Sequence, residues 1–231
     1  MWRPPLWRSG SPCDVNAKQP KLALSDAAEW LGDWHPLTEQ LGSSDGLVAL
    51  GSVSNLLKLR PVHNRSSLKS FLMDYQNRIL LGVELPAIQA AHGHAARNEL
   101  RELVAFDQQL AQQPMLRAFA DASRRVGQCQ LRKLRPLRDQ RMARRYLDAV
   151  EAGFAHGWHT LVYGLTLEIY SLALRQGLLG YAQQTTRGFI YSATRMLALS
   201  EHECRELFEE LCSGLPAAIE ALLQPSHPPV S

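Results

Sequence analysis

Residues 159–199 read HTLVYGLTLEIYSLALRQGLLGYAQQTTRGFIYSATRMLAL, and this stretch decides the fold class. Its apolar positions Leu161, Leu165 and Ile169, then Leu174, Leu178 and Tyr181, recur at the three- and four-residue spacing of one helix face. A break at Tyr170-Ser171 divides the stretch into two helices. Glu168 and Arg175 interrupt the apolar run before it reaches the ~20 residues that a bilayer-spanning helix needs. Gly177, Gly180 and Gly188 each cost roughly 1 kcal/mol relative to alanine inside a helix. With Ser192 and Ala193 they form a small-residue series, which predicts close helix approach within one subunit or between two copies.

Helical spacing continues on both sides. Ser66 or Ser67 is expected to cap a helix whose face is Leu68, Phe71, Leu72, Tyr75 and Ile79. Pro86 suits the first turn of a new helix, 86 to about 97, where a missing N–H costs nothing. Asn98 is expected to cap a third helix with Leu100, Leu103, Phe106 and Leu110 inward. Pro114 opens a fourth that reaches about Leu134 and is stopped by Pro136; a fifth runs from about Arg138 to Phe154 with Tyr146, Leu147 and Val150 apolar. After the central pair, Ser200 and Glu203 form a capping box for a helix carrying Cys204, Leu207 and Leu211. Gly214 ends that helix, and Pro216 begins a short last one. Towards the N-terminus, a short helix is expected behind Ser25 through Ala27, Trp30 and Leu31, and Gly32, Gly42, Gly46 and Gly51 mark turns. No segment alternates with period two for long enough to make a strand. The expected architecture is all-α: a compact, bundle-like single domain over 23–224, with 1–22 as a disordered extension and 225–231 as a tail.

Composition narrows the function. The chain has 231 residues, 45% of them hydrophobic, enough for a substantial core, while a net charge of +3 removes any global electrostatic case for nucleic acid. The four cysteines, Cys13, Cys129, Cys204 and Cys212, include no C-x-x-C pair and read as isolated thiols of a reduced, cytoplasmic chain. An organelle transit peptide at the basic N-terminus is opposed by Pro4, Pro5 and Pro12, which spoil an amphipathic helix.

No catalytic, cofactor or metal residues are expected. His92-Gly93-His94 and His202-Glu203-Cys204 hint at metal, but neighbours on a helix face sit three or four apart, so an H-x-H pair diverges. His156 and His159 read equally well as packing residues at a helix start. No phosphate-cradling glycine loop and no G-x-S-x-G elbow is present. Glu99 with Glu102, and Glu209 with Glu210, sit on helices among basic residues.

The strongest charge feature lies between Arg124 and Arg145: Arg124, Arg125, Arg132, Lys133, Arg135, Arg138, Arg141, Arg144 and Arg145, with Asp139 the lone acid. The plain reading is a solvated face balanced by Glu99, Glu102 and Asp107. The second is a docking surface for an acidic partner, since arginine makes bidentate carboxylate contacts. Nucleic acid ranks third, because no aromatics interleave with the arginines to stack bases.

Four segments resemble, in order and spacing, the urease accessory protein family UreF. They are Val83-Glu84-Leu85-Pro86-Ala87-Ile88-Gln89-Ala90-Ala91-His92, which is similar to the family's Asp-Leu-Pro-x-Leu-x-x-Ala-His; Ala122-Ser123-Arg124-Arg125-Val126-Gly127 with Leu131 and Leu134; Tyr163-Gly164-Leu165 followed by the break; and Ser192-Ala193-Thr194-Arg195-Met196. The likeness covers about 66–223. The family's N-terminal signature survives only as Ser44-Asp45-Gly46-Leu47, with Val48 where Glu is expected, and its long C-terminal tail is expected to be missing after Gln224. The resemblance implies an all-helical, dimerising, non-catalytic maturation factor. It implies that the factor binds no nickel of its own, joins a UreD/UreH-type scaffold protein and the GTPase UreG, modulates that GTPase, and helps deliver nickel to the urease apoprotein. Arg195 matches the family's basic position and is the first choice for a partner contact, with an ordinary helix-end cation as the bland alternative. Ser192, Tyr181, Arg124, Arg125, Ser44 and Gly46 complete the expected partner-binding set.

Overall fold

The computed structural model describes residues 62–134 and 141–224, so the Ser25 helix, the glycine turns, Ser44, Gly46, Arg135, Pro136 and Arg138 lie outside the described residues. Among the described residues every regular element is helical, as the spacing predicts.

Helix α1 spans Arg65–Tyr75 and is capped by Asn64, one turn before the expected serines. The Ser67 N–H donates to the Asn64 side chain at 2.9 Å, while the Ser67 hydroxyl accepts from the Asn64 N–H at 3.0 Å. Ser67 therefore serves as the third-position half of a capping box. Leu68, Phe71, Leu72, Tyr75 and Ile79 are all buried, as expected.

The chain does not break before Pro86. It passes through a π-helical segment, Gln76–Glu84, directly into α2, Leu85–Ala96. The Leu85 N–H reaches back five residues to the Leu80 carbonyl, the wide hydrogen-bond step of a π-helix. Pro86 falls in the first turn of α2, as expected, where its missing N–H is best tolerated, although no break precedes it. Asn98 also departs from expectation. Its φ of +55° is left-handed, and its N–H closes the end of α2 on the Ala95 carbonyl at 3.0 Å. It terminates α2 rather than capping α3, Leu100–Ala111.

A 3-10 turn, Pro114–Phe119, leads into α4, Ala120–Lys133. Helix α5 spans Arg141–Glu151 and stops short of Phe154. Gly153, at φ +79°, donates to the Val150 carbonyl at 3.1 Å, and the Phe154 N–H donates to the Ala149 carbonyl at 2.8 Å. That pair of bonds is the Schellman ending, which requires a left-handed residue and so favours glycine.

The central pair forms as its periodicity predicts: α6, His159–Ile169, and α7, Leu174–Leu197, are separated by Ser171 at φ +53°. The capping box on Ser200 and Glu203 starts α8, Glu201–Cys212, and α9 is Leu215–Leu223 with proline in its first turn. Helix α6 lies between α2 and α4, whereas α7 packs on α8, α9, α2 and α1, and α5 covers α3 and α4. A Cβ on Gly164 would come within 2.4 Å of the Ile88 carbonyl oxygen, so α2 and α6 touch backbone to backbone. The small-residue expectation holds at Gly177 within the subunit: a Cβ there would meet Leu167 at 2.4 Å.

Among the described residues no helix is long and apolar enough to cross a membrane. Cys204 and Cys212 are buried free thiols, as the sequence reading expects of them, and Cys13 lies outside the described residues.

Candidate functional site

Asp107 sits on the inward line of α3, between Leu103 and Leu110, and is fully buried. Its carboxylate accepts from the Tyr146 hydroxyl of α5 at 2.6 Å and from the main-chain N–H groups of His156 at 2.6 Å and Gly157 at 3.0 Å. The Trp158 indole N–H donates to the Asp107 carbonyl at 3.2 Å. Burial first, and then the Asp107 charge, push the Tyr146 hydroxyl well above its ordinary value, so it stays a donor.

Further bonds fix the same loop, which joins α5 to α6. Gln108 donates to the Phe154 carbonyl and Gln128 to the His156 carbonyl, each at 3.0 Å. The His159 N–H donates to the Ser123 hydroxyl at 3.2 Å. Helix α4 approaches so closely that a Cβ on Gly127 would lie 2.1 Å from the Gly157 carbonyl oxygen. The result is a loop held on both sides, with Phe154 left 66% exposed at its tip. Asp107 is therefore not a surface acid balancing the arginines, as the sequence reading had it.

A second polar cluster lies inside. The Tyr75 hydroxyl donates to the buried Glu84 carboxyl at 2.8 Å. Burial raises the Glu84 carboxyl to about 7, against the lowering effect of that hydrogen bond. Tyr181, expected among the partner contacts, is 1% exposed and packs its ring against Tyr163 at 5.1 Å and His159 at 5.8 Å. Its hydroxyl faces the Glu84 carboxyl without reaching hydrogen-bond geometry, so its structural role is interior. Burial lowers His159 to about 4, and neither ring nitrogen has a hydrogen-bond partner. The ring is neutral and serves as packing, one of the two readings the sequence allowed.

The basic surface is real and uneven. The Arg124 guanidinium lies over the Trp158 ring at 5.0 Å. Arg125, Arg132, Lys133, Arg141, Arg144 and Arg145 are exposed, and none is ion-paired among the described residues. Several other surface cations have partners: Arg65 with Glu206 at 2.9 Å, Arg97 with Glu99 at 2.8 Å, Lys69 with Glu210 and Arg175 with Glu220, while the exposed Arg101 and Arg117 make no ion pair among the described residues. Glu99, expected to balance the arginines, instead serves Arg97 and His94. Those two bonds hold its carboxyl down at about 2, Arg97 contributing most.

The remaining histidines are dispersed: His92 faces Glu168 at 3.2 Å, His94 faces Glu99 at 2.9 Å and His202 faces Glu206 at 3.6 Å. No group of three or more His, Cys, Asp and Glu side chains among the described residues is arranged to hold a metal. Ser192 and Arg195 fall in the C-terminal turns of α7, and their side chains lie outside the described residues.

Helices packed around sealed polar clusters, with arginines and the aromatic side chains of Phe154 and Tyr170 turned outward, form an all-helical scaffold. The UreF family model matches residues 62–212, more than half of the chain, and the chain belongs to that family of urease accessory proteins. The match runs from α1 through α8 and ends before α9. No curated protein matches the chain. Family membership carries an accessory role in urease maturation.

Proposed function

We propose that this protein is a non-catalytic maturation factor that bridges a UreG-type GTPase and a UreD/UreH-type scaffold protein, modulates the GTPase, and helps deliver nickel to the urease apoprotein. It acts in the cytoplasm as a homodimer built on one helical domain over 23–224. The family match across α1 to α8 carries this reading. A helical slab stiffened by the Asp107 and Glu84 clusters is suited to holding partners in fixed geometry.

Co-purification of the full chain with each partner tests it. Binding at micromolar concentration is expected, with Arg195→Glu weakening one contact and leaving the melting temperature unchanged. Folded protein that binds neither partner overturns it.

A second reading rests on the basic segment 124–145, where Arg125, Arg132, Arg141, Arg144 and Arg145 are exposed and make no ion pair among the described residues: a nucleic-acid-binding regulator or adaptor. It requires DNA or RNA affinity that falls steeply with salt. Flat binding from low to moderate salt removes it.

A further inference from the structure

We propose that the outward face of α5, from Arg141, Arg144 and Arg145 to the loop tip at Phe154, docks an acidic polypeptide whose carboxylates flank an apolar socket. This rests on the reading of the protein as a bridge between urease accessory proteins, and it assigns one face to that task.

The arginines are placed against their own helix. The N-terminal end of an α-helix carries partial positive charge and favours acids. The first turn of α5 holds no acid and its last turn no base. Arg141, Arg144 and Arg145 all crowd the positive half, exposed and without an ion pair among the described residues. Folding of this helix alone favours the reverse order of charge, so these exposed guanidinium groups suit a carboxylate-bearing surface.

At the other end stands Phe154, the most exposed of the large apolar side chains described: 66%, against 48% for Met73 and 41% for Tyr170. Its backbone is pinned from before and behind. Its N–H bonds to Ala149, its carbonyl accepts from Gln108, and beyond Ala155 the N–H groups of His156 and Gly157 are tied to Asp107 and the His156 carbonyl to Gln128. A backbone already held in place loses little further freedom on binding. Aromatic and arginine anchors of this kind dominate the energetics of protein interfaces.

Nucleic acid fits this face less well. The exposed acid Asp148 follows Arg144 by four residues on the same face, so an unbroken phosphate backbone would meet like charge, whereas discrete carboxylates can be set clear of it.

The test places the photo-crosslinker p-benzoylphenylalanine at position 154 of the full chain and reconstitutes it with the UreG-type and UreD/UreH-type proteins. A cross-link from position 154 to one of them is expected. Arg144→Glu with Arg145→Glu should weaken assembly by about tenfold or more, increasingly so at low salt, with a melting temperature that does not fall. A complex that forms without a cross-link, and with the double variant binding normally, overturns the assignment and leaves the bridging reading standing. Failure of the unmodified chain to bind either partner overturns both. Tight binding of a DNA duplex that the double variant loses overturns it in favour of nucleic acid.

Discussion

The Asp107 carboxylate and the Tyr146 hydroxyl meet at 2.6 Å inside the protein, 39 residues apart in sequence and contributed by α3 and α5. The same carboxylate ties down the loop that follows α5. Replacing Asp107 by Ala strands the Tyr146 hydroxyl and two main-chain N–H groups in the interior. A loss of roughly 3 kcal/mol or more is expected, since each orphaned buried group costs about 1–3 kcal/mol. Tyr146→Phe removes one donor and should cost about 1–1.5 kcal/mol. Urea denaturation of both variants checks the order; equal losses would mean that the loop bonds contribute nothing.

Backbone contact between α2 and α6 makes a second prediction. Gly164→Ala drives a methyl to within 2.4 Å of the Ile88 carbonyl, so the helices must separate. Overpacking of this kind costs typically about 1–3 kcal/mol. Gly82→Ala is the control, because its nearest atom is the Asn77 carbonyl oxygen at 3.5 Å, an ordinary contact. A lowered melting temperature for Gly164→Ala and none for Gly82→Ala is the expected pattern.

The buried pair Glu84 and His159 should oppose each other with pH. Glu84 is raised from 4.5 to about 7, so the folded protein holds its proton more tightly than the unfolded chain. Its contribution is full below pH 4.5 and is lost as pH rises to about 7, on the order of 3 kcal/mol. His159 is lowered from 6.5 to about 4, so its contribution is full above 6.5 and is lost as pH falls to about 4. Between these limits the two slopes run in opposite directions and largely cancel. Glu84→Gln should therefore unmask a stability that climbs from pH 4 to 6.5, and His159→Phe one that declines from 4.5 to 7. Melting temperatures across that range, identical in shape for both variants and the parent, would refute the pairing.

Ser200→Ala should cost about 1 kcal/mol, because the hydroxyl accepts from the Glu203 N–H that opens α8. Thermal unfolding checks it, and Ser200→Asp should restore most of the loss.

The helices were legible because side-chain periodicity reports which face turns inward, and Leu68 through Ile79 or Leu207 with Leu211 obey it. Depth is less legible. Tyr181 lies on the predicted face, yet nothing in its spacing says that α1, α2 and α6 would cover it. Asp107 lies on the inward line Leu103-Asp107-Leu110, a signal that was available, but its partners sit about fifty residues further on. The π-helical passage is written in main-chain bonding, which side-chain pattern does not encode, and proline there mimics a break. Phe154 escaped notice because a helix ending at Gly153 cannot be told by periodicity from one that runs on past it.

The knot around Asp107 draws on α3, α4, α5 and the loop together. Until those segments have all come together, nothing holds the aromatic tip in its final pose. A partner that grips Phe154 would thereby discriminate finished molecules from immature ones, and assembly would wait on the completed fold without any separate checkpoint.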